Sequence, residues 1–388
     1  MIRARAVPLA LKILVHAPRR LVVSLAGVVL AVVLMFSQVG FRDAMFDSQT
    51  EVIKRLNGDL FIVNRLKRVM HVPGGFTSRR LYQARAVTGV AAVYPLYIES
   101  AASIWKDPVA RRARPIRVLA FDPLDPVFDF SDRAGGAEAL KRPGTVLFDR
   151  KSRDYYGQPR VGTQTELAGR EVRVVGTFSL GVDFFTDGNV IMSDRDFKAF
   201  FPELAVPTPH LEKVEIGVIR LADGANPSDV RAALENALTD EVEVLTKLEF
   251  IDREVTYWRD NTAIGYIFGL GMGAGIAIGV VVCYQILYTN VNNYLPQFAT
   301  LKAMGFTNPY LVGIVLQQAV FVAVLGFVPA LVAATGLFRI VGGLSGLVMN
   351  LALGRVAEIL ILTVAMCLFS ATFAMWRVLT ADPAEVFR

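Results

Sequence analysis

Residues 261–301 contain no Asp, Glu, Lys or Arg, and after the single Lys302 a second charge-free run extends over 303–338. Crossing the hydrocarbon core of a bilayer takes about 20 apolar residues, and a soluble core helix is rarely so long without a charge. The two runs therefore predict an integral membrane protein, with spans at 263–288 and 309–336. Two further apolar stretches, 21–41 and 356–376, bring the predicted spans to four. The composition agrees: 53% of the 388 residues are hydrophobic, and the mean hydropathy is +0.44.

The net charge of +6 and pI near 9.3 would point to nucleic acid in a soluble chain. Here the cations have another use. Arg3, Arg5, Lys12, Arg19 and Arg20 crowd the first twenty residues with no acid among them, directly before the first span. The positive-inside rule places that amphipathic segment, 1–20, in the cytoplasm. Four spans then return the tail, 377–388, to the same side. Membrane lipid is the expected surroundings and nucleic acid is not a partner. The first apolar stretch exceeds the roughly 7–15 residues of a signal-peptide core, and no Ala-x-Ala-like site follows it, so an uncleaved anchor is expected. Cys283 and Cys367 both fall in predicted spans, which excludes a disulfide framework and reads as small apolar packing. His16, His71 and His210 are scattered without metal-ligand spacing.

One span, a large loop at 42–260 and three closely spaced spans make a lopsided layout, with the loop outside the cytoplasm. The loop opens by prolonging a helix: Phe41, Met45, Val52 and Leu56 recur at helical spacing in FRDAMFDSQTEVIKRL. Sixteen helical residues project roughly 24 Å. At the far end, Phe250, Tyr257 and Trp258 stand near one side of LEFIDREVTYWRDNT. Segments 42–57 and 249–262 are thus predicted to form a stalk, burying these stripes against each other. The other reading is that each caps a globular domain.

Between them the pattern is α/β. GDLFIVN, RPIRVLAF and EVEVLTKL read as strands, while SRRLYQARAV and NPSDVRAALENALTD read as helices, the second capped by Asn226 or Ser228. An α/β porter-like domain is expected from 58–121 and 206–248, with a mostly β subdomain inserted at 122–205 that includes TVLFDR, REVRVVGTFS and NVIMSDR. Asp122, Asp125 and Asp129 lie among prolines without an EF-hand pattern and read as a solvated turn. Phe178, Phe184 and Phe185 read as core or interface residues. No G-x-x-x-x-G-K-[ST], H-E-x-x-H or G-x-S-x-G occurs, so neither a P-loop nor those catalytic signatures are present. The near absence of charge within the spans also argues against an ion-driven carrier.

The loop at 289–308, with a short periplasmic connection at 337–355 its counterpart across the membrane, carries the most specific signal. Leu295, Phe298, Leu301 and Met304 follow steps of three, Pro296 fits a first helical turn and Gly305 a stop. Tyr294, Leu295, Gln297, Phe298, Leu301, Lys302, Met304 and Gly305 make up the predicted docking helix. Lipid would favour several cations, and Lys302 is alone, so a protein groove is the expected occupant.

This loop resembles the coupling segment of ABC exporter permeases of the FtsX/MacB/LolC superfamily. Leu301-Lys302-Ala303-Met304-Gly305 keeps the L-[KR]-A-x-G core, while Gln297 and Phe298 replace the usual acid and isoleucine. Segments 34–48, 58–64, 249–271 and 284–311, among them LMFSQVGFRDAMFDS and YQILYTNVNNYLPQFATLKAMGFTNPYL, are similar to the DevC-type branch. The resemblance implies an α-helical membrane protein with four transmembrane helices and an α/β + β periplasmic ectodomain, as in MacB-like, type VII ABC transporters. It further implies a homodimer in the bacterial inner membrane, a DevA-type ATPase that binds the ATP and Mg, and a DevB-type periplasmic adaptor. A TolC-like outer-membrane channel completes that expected assembly. This chain would hold no cofactor or metal and have no catalysis of its own. Lipid or glycolipid-like cargo would be driven by mechanotransmission. An FtsX-like regulator of cell-wall hydrolases and a membrane-anchored enzyme are the alternatives.

Overall fold

The computed structural model describes residues 18–129, 137–202, 213–345, 349 and 351–380. His16, His210, the segment before Pro18 and the tail after Thr380 lie outside the described residues. The chain divides into two compact units, one of residues 1–43, 263–342 and 349–388, the other of 44–262 and 343–348.

Helix α1 (Pro18–Arg55) is unbroken through 38 residues. The second unit continues with β1 (Leu60–Asn64), β2 (Phe76–Thr77), α2 (Arg79–Arg85), β3 (Val90–Glu99), β4 (Ile104–Lys106), β5 (Ala113–Pro115) and β6 (Arg117–Phe121). Next come β7 (Thr145–Asp149), β8 (Gln164–Leu167), β9 (Arg170–Phe178), β10 (Asn189–Ser193) and α3 (Asp194–Phe200). It closes with β11 (Lys213–Val214), β12 (Ile216–Leu221), α4 (Pro227–Ala237), β13 (Val242–Thr246) and α5 (Lys247–Asp260).

Eleven of these strands form one sheet in the order β13-β1-β12-β3-β6-β10-β7-β9-β8-β4-β5. Strand β1 is apolar at nearly every position because both its neighbours and both its faces are covered: Leu60 pairs with Thr246 on one side and Ile219 on the other. Its alternation sorts two cores. Leu60 and Ile62 join Val93, Phe148, Leu81 and Leu234 on the face covered by α2 and α4, while Phe61 and Val63 join Leu96, Leu119 and Ile191 on the opposite face, against which Val52 of α1 and Phe250 of α5 pack. Strands from both ends of the loop meet here as β1, β12 and β13. Residues 122–205 do not form a sheet of their own. Strand β10 pairs in parallel with β6 and antiparallel with β7, so the inserted strands extend the same sheet.

Side-chain caps mark the starts of α4 and α5. The Asn226 side chain accepts the Ser228 N–H at 3.1 Å, with Pro227 in the first turn of α4. At α5, Thr246 and Glu249 make a reciprocal capping box.

The membrane unit contains the first part of α1 together with α6 (Ala263–Asn293), α7 (Leu295–Ala303), α8 (Asn308–Ser345) and α9 (Leu353–Thr380). Among the described residues, α1, α6, α8 and α9 are long and apolar enough to cross a membrane. With no water to drive apolar association inside lipid, close packing decides. Glycines provide it: a Cβ on Gly275 would press on Met35, and one on Gly279 would overlap the Met366 sulfur. Hydroxyls find backbone partners within and between helices, as when the Ser370 hydroxyl donates to Val280 O on α6 and to Met366 O on its own helix, both at 2.9 Å.

Candidate functional site

Helix α7 lies between two spans and has a hard stop. Pro296 stands in its first turn, where a missing N–H costs nothing. Gly305 takes φ +89°, its N–H donates to Lys302 O at 3.0 Å, and the Phe306 N–H reaches back to Leu301 O at 3.1 Å. That pair of bonds is the Schellman ending, and its left-handed residue favours glycine.

The sequence reading offered Phe298 and Leu301 outward as knobs; the structure turns them in. Phe298 is 4% exposed, within the cluster that the spans share, and Tyr294 and Leu301 pack half-buried against the same cluster. The reason lies in the helical period. Leu295, Phe298, Ala299, Leu301 and Lys302 fall on one side, which buries its apolar surface on the span ends. Pro296, Gln297, Thr300, Ala303 and Met304 fall on the other and are exposed. Lys302 thus shares the inward side rather than standing out alone. Beyond the glycine stop, Phe306 and Tyr310 stack at 4.9 Å and remain 41% and 46% exposed, beside Met304 at 63%. These two aromatics escaped the sequence reading because the helical pattern ends at Gly305.

The predicted stalk residues are placed as follows. Met45, Val52 and Leu56 are buried and Phe41 is half-buried. Val52, Leu56 and Phe250 enter the cluster on one face of the sheet, where the Phe250 ring lies 6.0 Å from Phe61. Trp258 packs against Phe185 at 4.9 Å and Tyr257 at 5.6 Å. The stripe of α5 is therefore taken up largely by the sheet and by the loop bearing Phe185.

One residue of α5 stands out that the sequence did not flag. Glu254 is 1% exposed; its carboxylate accepts the Trp258 indole N–H and the Met70 N–H, each at 2.9 Å. Both donors are neutral. Burial pushes the carboxyl up to about 7, against the partial pull of those bonds and of Lys67 and Arg253. The nearby cations are otherwise engaged: Lys67 pairs with Glu215 and donates to Val72 O, and Arg253 pairs with Glu243. In the membrane unit, Asp43 holds Arg355 at 2.6 Å and Arg42 at 3.1 Å.

Four apolar helices, with a mixed-sheet ectodomain following the first, define the class: the permease component of an ABC transporter, of type VII architecture. A family model described as the MacB-like periplasmic core domain matches residues 21–237, and one described as the FtsX-like permease C-terminal matches residues 269–383. The first covers more than half of the chain, which belongs to the MacB/FtsX family of ABC transporter permeases. Similar solved structures include the extracellular domain of the ABC-type transporter YknZ from Gram-positive bacteria, at 12% identity and TM-score 0.33, covering 49% of this chain and 99% of that one. Another is the periplasmic region of MacB from Actinobacillus actinomycetemcomitans, at 10% identity and TM-score 0.35, covering 51% and 92% respectively. No curated protein matches the sequence.

Proposed function

We propose that this chain is the membrane subunit of a tripartite efflux system in the bacterial inner membrane. A separate DevA-type ATPase binds ATP and Mg and docks on α7 from the cytoplasm. A DevB-type adaptor and a TolC-like channel continue the path from the ectodomain, and two copies of this chain form the core. Lipid or glycolipid-like cargo is driven by mechanotransmission rather than passed between the spans. The unbroken α1 and the nearly charge-free spans support this reading. The observation that carries it is the exposed face of Pro296, Gln297, Thr300, Ala303 and Met304 on a helix anchored by Phe298.

The test uses the complex co-purified from native membranes. Carboxylates placed on the outer face by Thr300→Asp with Met304→Asp should cut transport-coupled ATP hydrolysis roughly tenfold or more, as expected for a charge forced into a desolvated contact. Membrane insertion and thermal stability of the subunit should stay as in the wild type. Unchanged coupling would refute the docking assignment.

A further inference from the structure

The loop 181–187 of the ectodomain holds two phenyl rings out of the core by means of a buried polar frame. Phe184 is 57% exposed and Phe185 40%, whereas Phe178, a few residues upstream, is fully buried. Asp183 accepts the Phe185 N–H at 2.9 Å and the Thr186 N–H at 2.8 Å, and its other oxygen pairs with Arg117. Arg117 Nε donates to Asn189 Oδ1 at 2.8 Å. Asn189 in turn donates to Asp149 at 2.8 Å and to Gly181 O at 2.7 Å. Asp149 also accepts the Leu180 and Gly181 N–H groups, at 3.0 and 2.8 Å. Burying such a set is tolerable only when each member is satisfied, and the result is a rigid loop.

The placement of the pair suggests its occupant. Phe185 stacks on His71 at 4.1 Å and lies 4.9 Å from Trp258. Trp258 precedes Ala263, the first residue of the membrane-spanning α6, by five positions. Five residues of chain reach no further than about 18 Å, so Trp258 stays within that distance of the span's first residue. Tyr257, half-buried beside the buried Trp258, is of a residue type that gathers at the headgroup level of a bilayer. Exposed Arg68, three positions from His71, and exposed Lys151, whose side chain runs beside Gly181, add the charge that anionic headgroups attract.

We propose that this loop is a lipid-contacting finger, which sets Phe184 into the headgroup–acyl boundary of the leaflet facing the ectodomain. The occupant is phospholipid.

The experiment uses the full-length protein in vesicles of phosphatidylethanolamine and phosphatidylglycerol. Cys283 and Cys367 are replaced by Ala, and Phe184→Cys carries an environment-sensitive fluorophore. The control is Tyr82→Cys on α2, where the parent side chain is 69% exposed. Lipids brominated along the acyl chain should quench the fluorophore at position 184 roughly twofold or more and leave position 82 unchanged, as shallow insertion requires. Equal quenching at the two positions would overturn the proposal. So would shielding from aqueous iodide at 184 without quenching by lipid, which would assign the finger to a protein partner or a second copy. Thermal midpoints near that of the parent confirm that the exposed substitutions leave the fold in place.

Discussion

The thiols of Cys283 on α6 and Cys367 on α9 face each other with their sulfurs 3.2 Å apart, and both side chains are fully buried. They pin two spans at one point. Copper–phenanthroline, acting as oxidant in the membrane, should remove two protons and two electrons from the pair and join the sulfurs within a single chain. Titration of thiols under denaturing conditions should then find none, where the untreated protein has both. Persistence of free thiols after treatment would show that α6 and α9 are not held this close.

A second test concerns the same seam. A side chain at position 279 would overlap the Met366 sulfur and crowd Ala31 at 3.3 Å. Gly279→Val should lower stability by roughly 1–3 kcal/mol, the usual cost of overpacking. Met366→Ala in the same molecule should return part of that loss, so the two changes are non-additive. Thermal unfolding in detergent of the two single variants and the double variant measures the coupling.

Glu254 makes stability depend on pH with a definite sign. Its folded pKa, about 7, lies above the ordinary 4.5, so the folded protein holds this proton more tightly than the unfolded chain. The corresponding stability is fully present below about 4.5 and is lost as pH rises through about 7. Asp125, pushed up to about 6 by burial and by Asp122, acts in the same direction, and Asp196 is also raised. His71 is lowered, chiefly by burial. Glu254→Gln keeps an acceptor for the Trp258 indole while removing the titration. The variant's unfolding temperature should therefore fall less than the wild type's between pH 5 and pH 8, and the difference between the two proteins isolates this carboxyl.

Asp43 and Arg355 give a charge-swap test. Asp43→Arg places a cation against Arg355 and Arg42 and should destabilise the protein by roughly 3 kcal/mol, since a poorly exposed charge loses its partner. The double variant Asp43→Arg, Arg355→Asp should recover much of that loss. Equal melting of the single and double variants would remove the pair from the forces holding α1 to α9.

Much of this architecture is legible in the sequence because its signals are local. Charge-free runs mark α6 and α8, GDLFIVN marks a strand covered on both faces, and Asn226 and Gly305 mark a helix start and a helix stop. The inward turn of Phe298 is not legible in that way. Its side of α7 is apolar in either reading, and only the position of the span ends decides which side is buried. Glu254 and the Asp149–Asn189–Arg117–Asp183 frame are likewise invisible, since the Met70 contact that buries Glu254 and the side-chain pairs of the frame join residues distant in sequence. Residues 122–205 read as a separate subdomain because strand spacing says nothing of pairing order, and β10 happens to pair with β6.

The inward anchoring of Phe298 has a mechanical meaning. Its ring shares one apolar cluster with residues of every membrane-spanning helix, so α7 behaves as a foot plate bolted to the whole bundle. A load on the plate would be distributed among the helices instead of bending a slack tether. Substitutions on the exposed face leave that bolt in place, whereas loss of the ring would free α7 from the bundle.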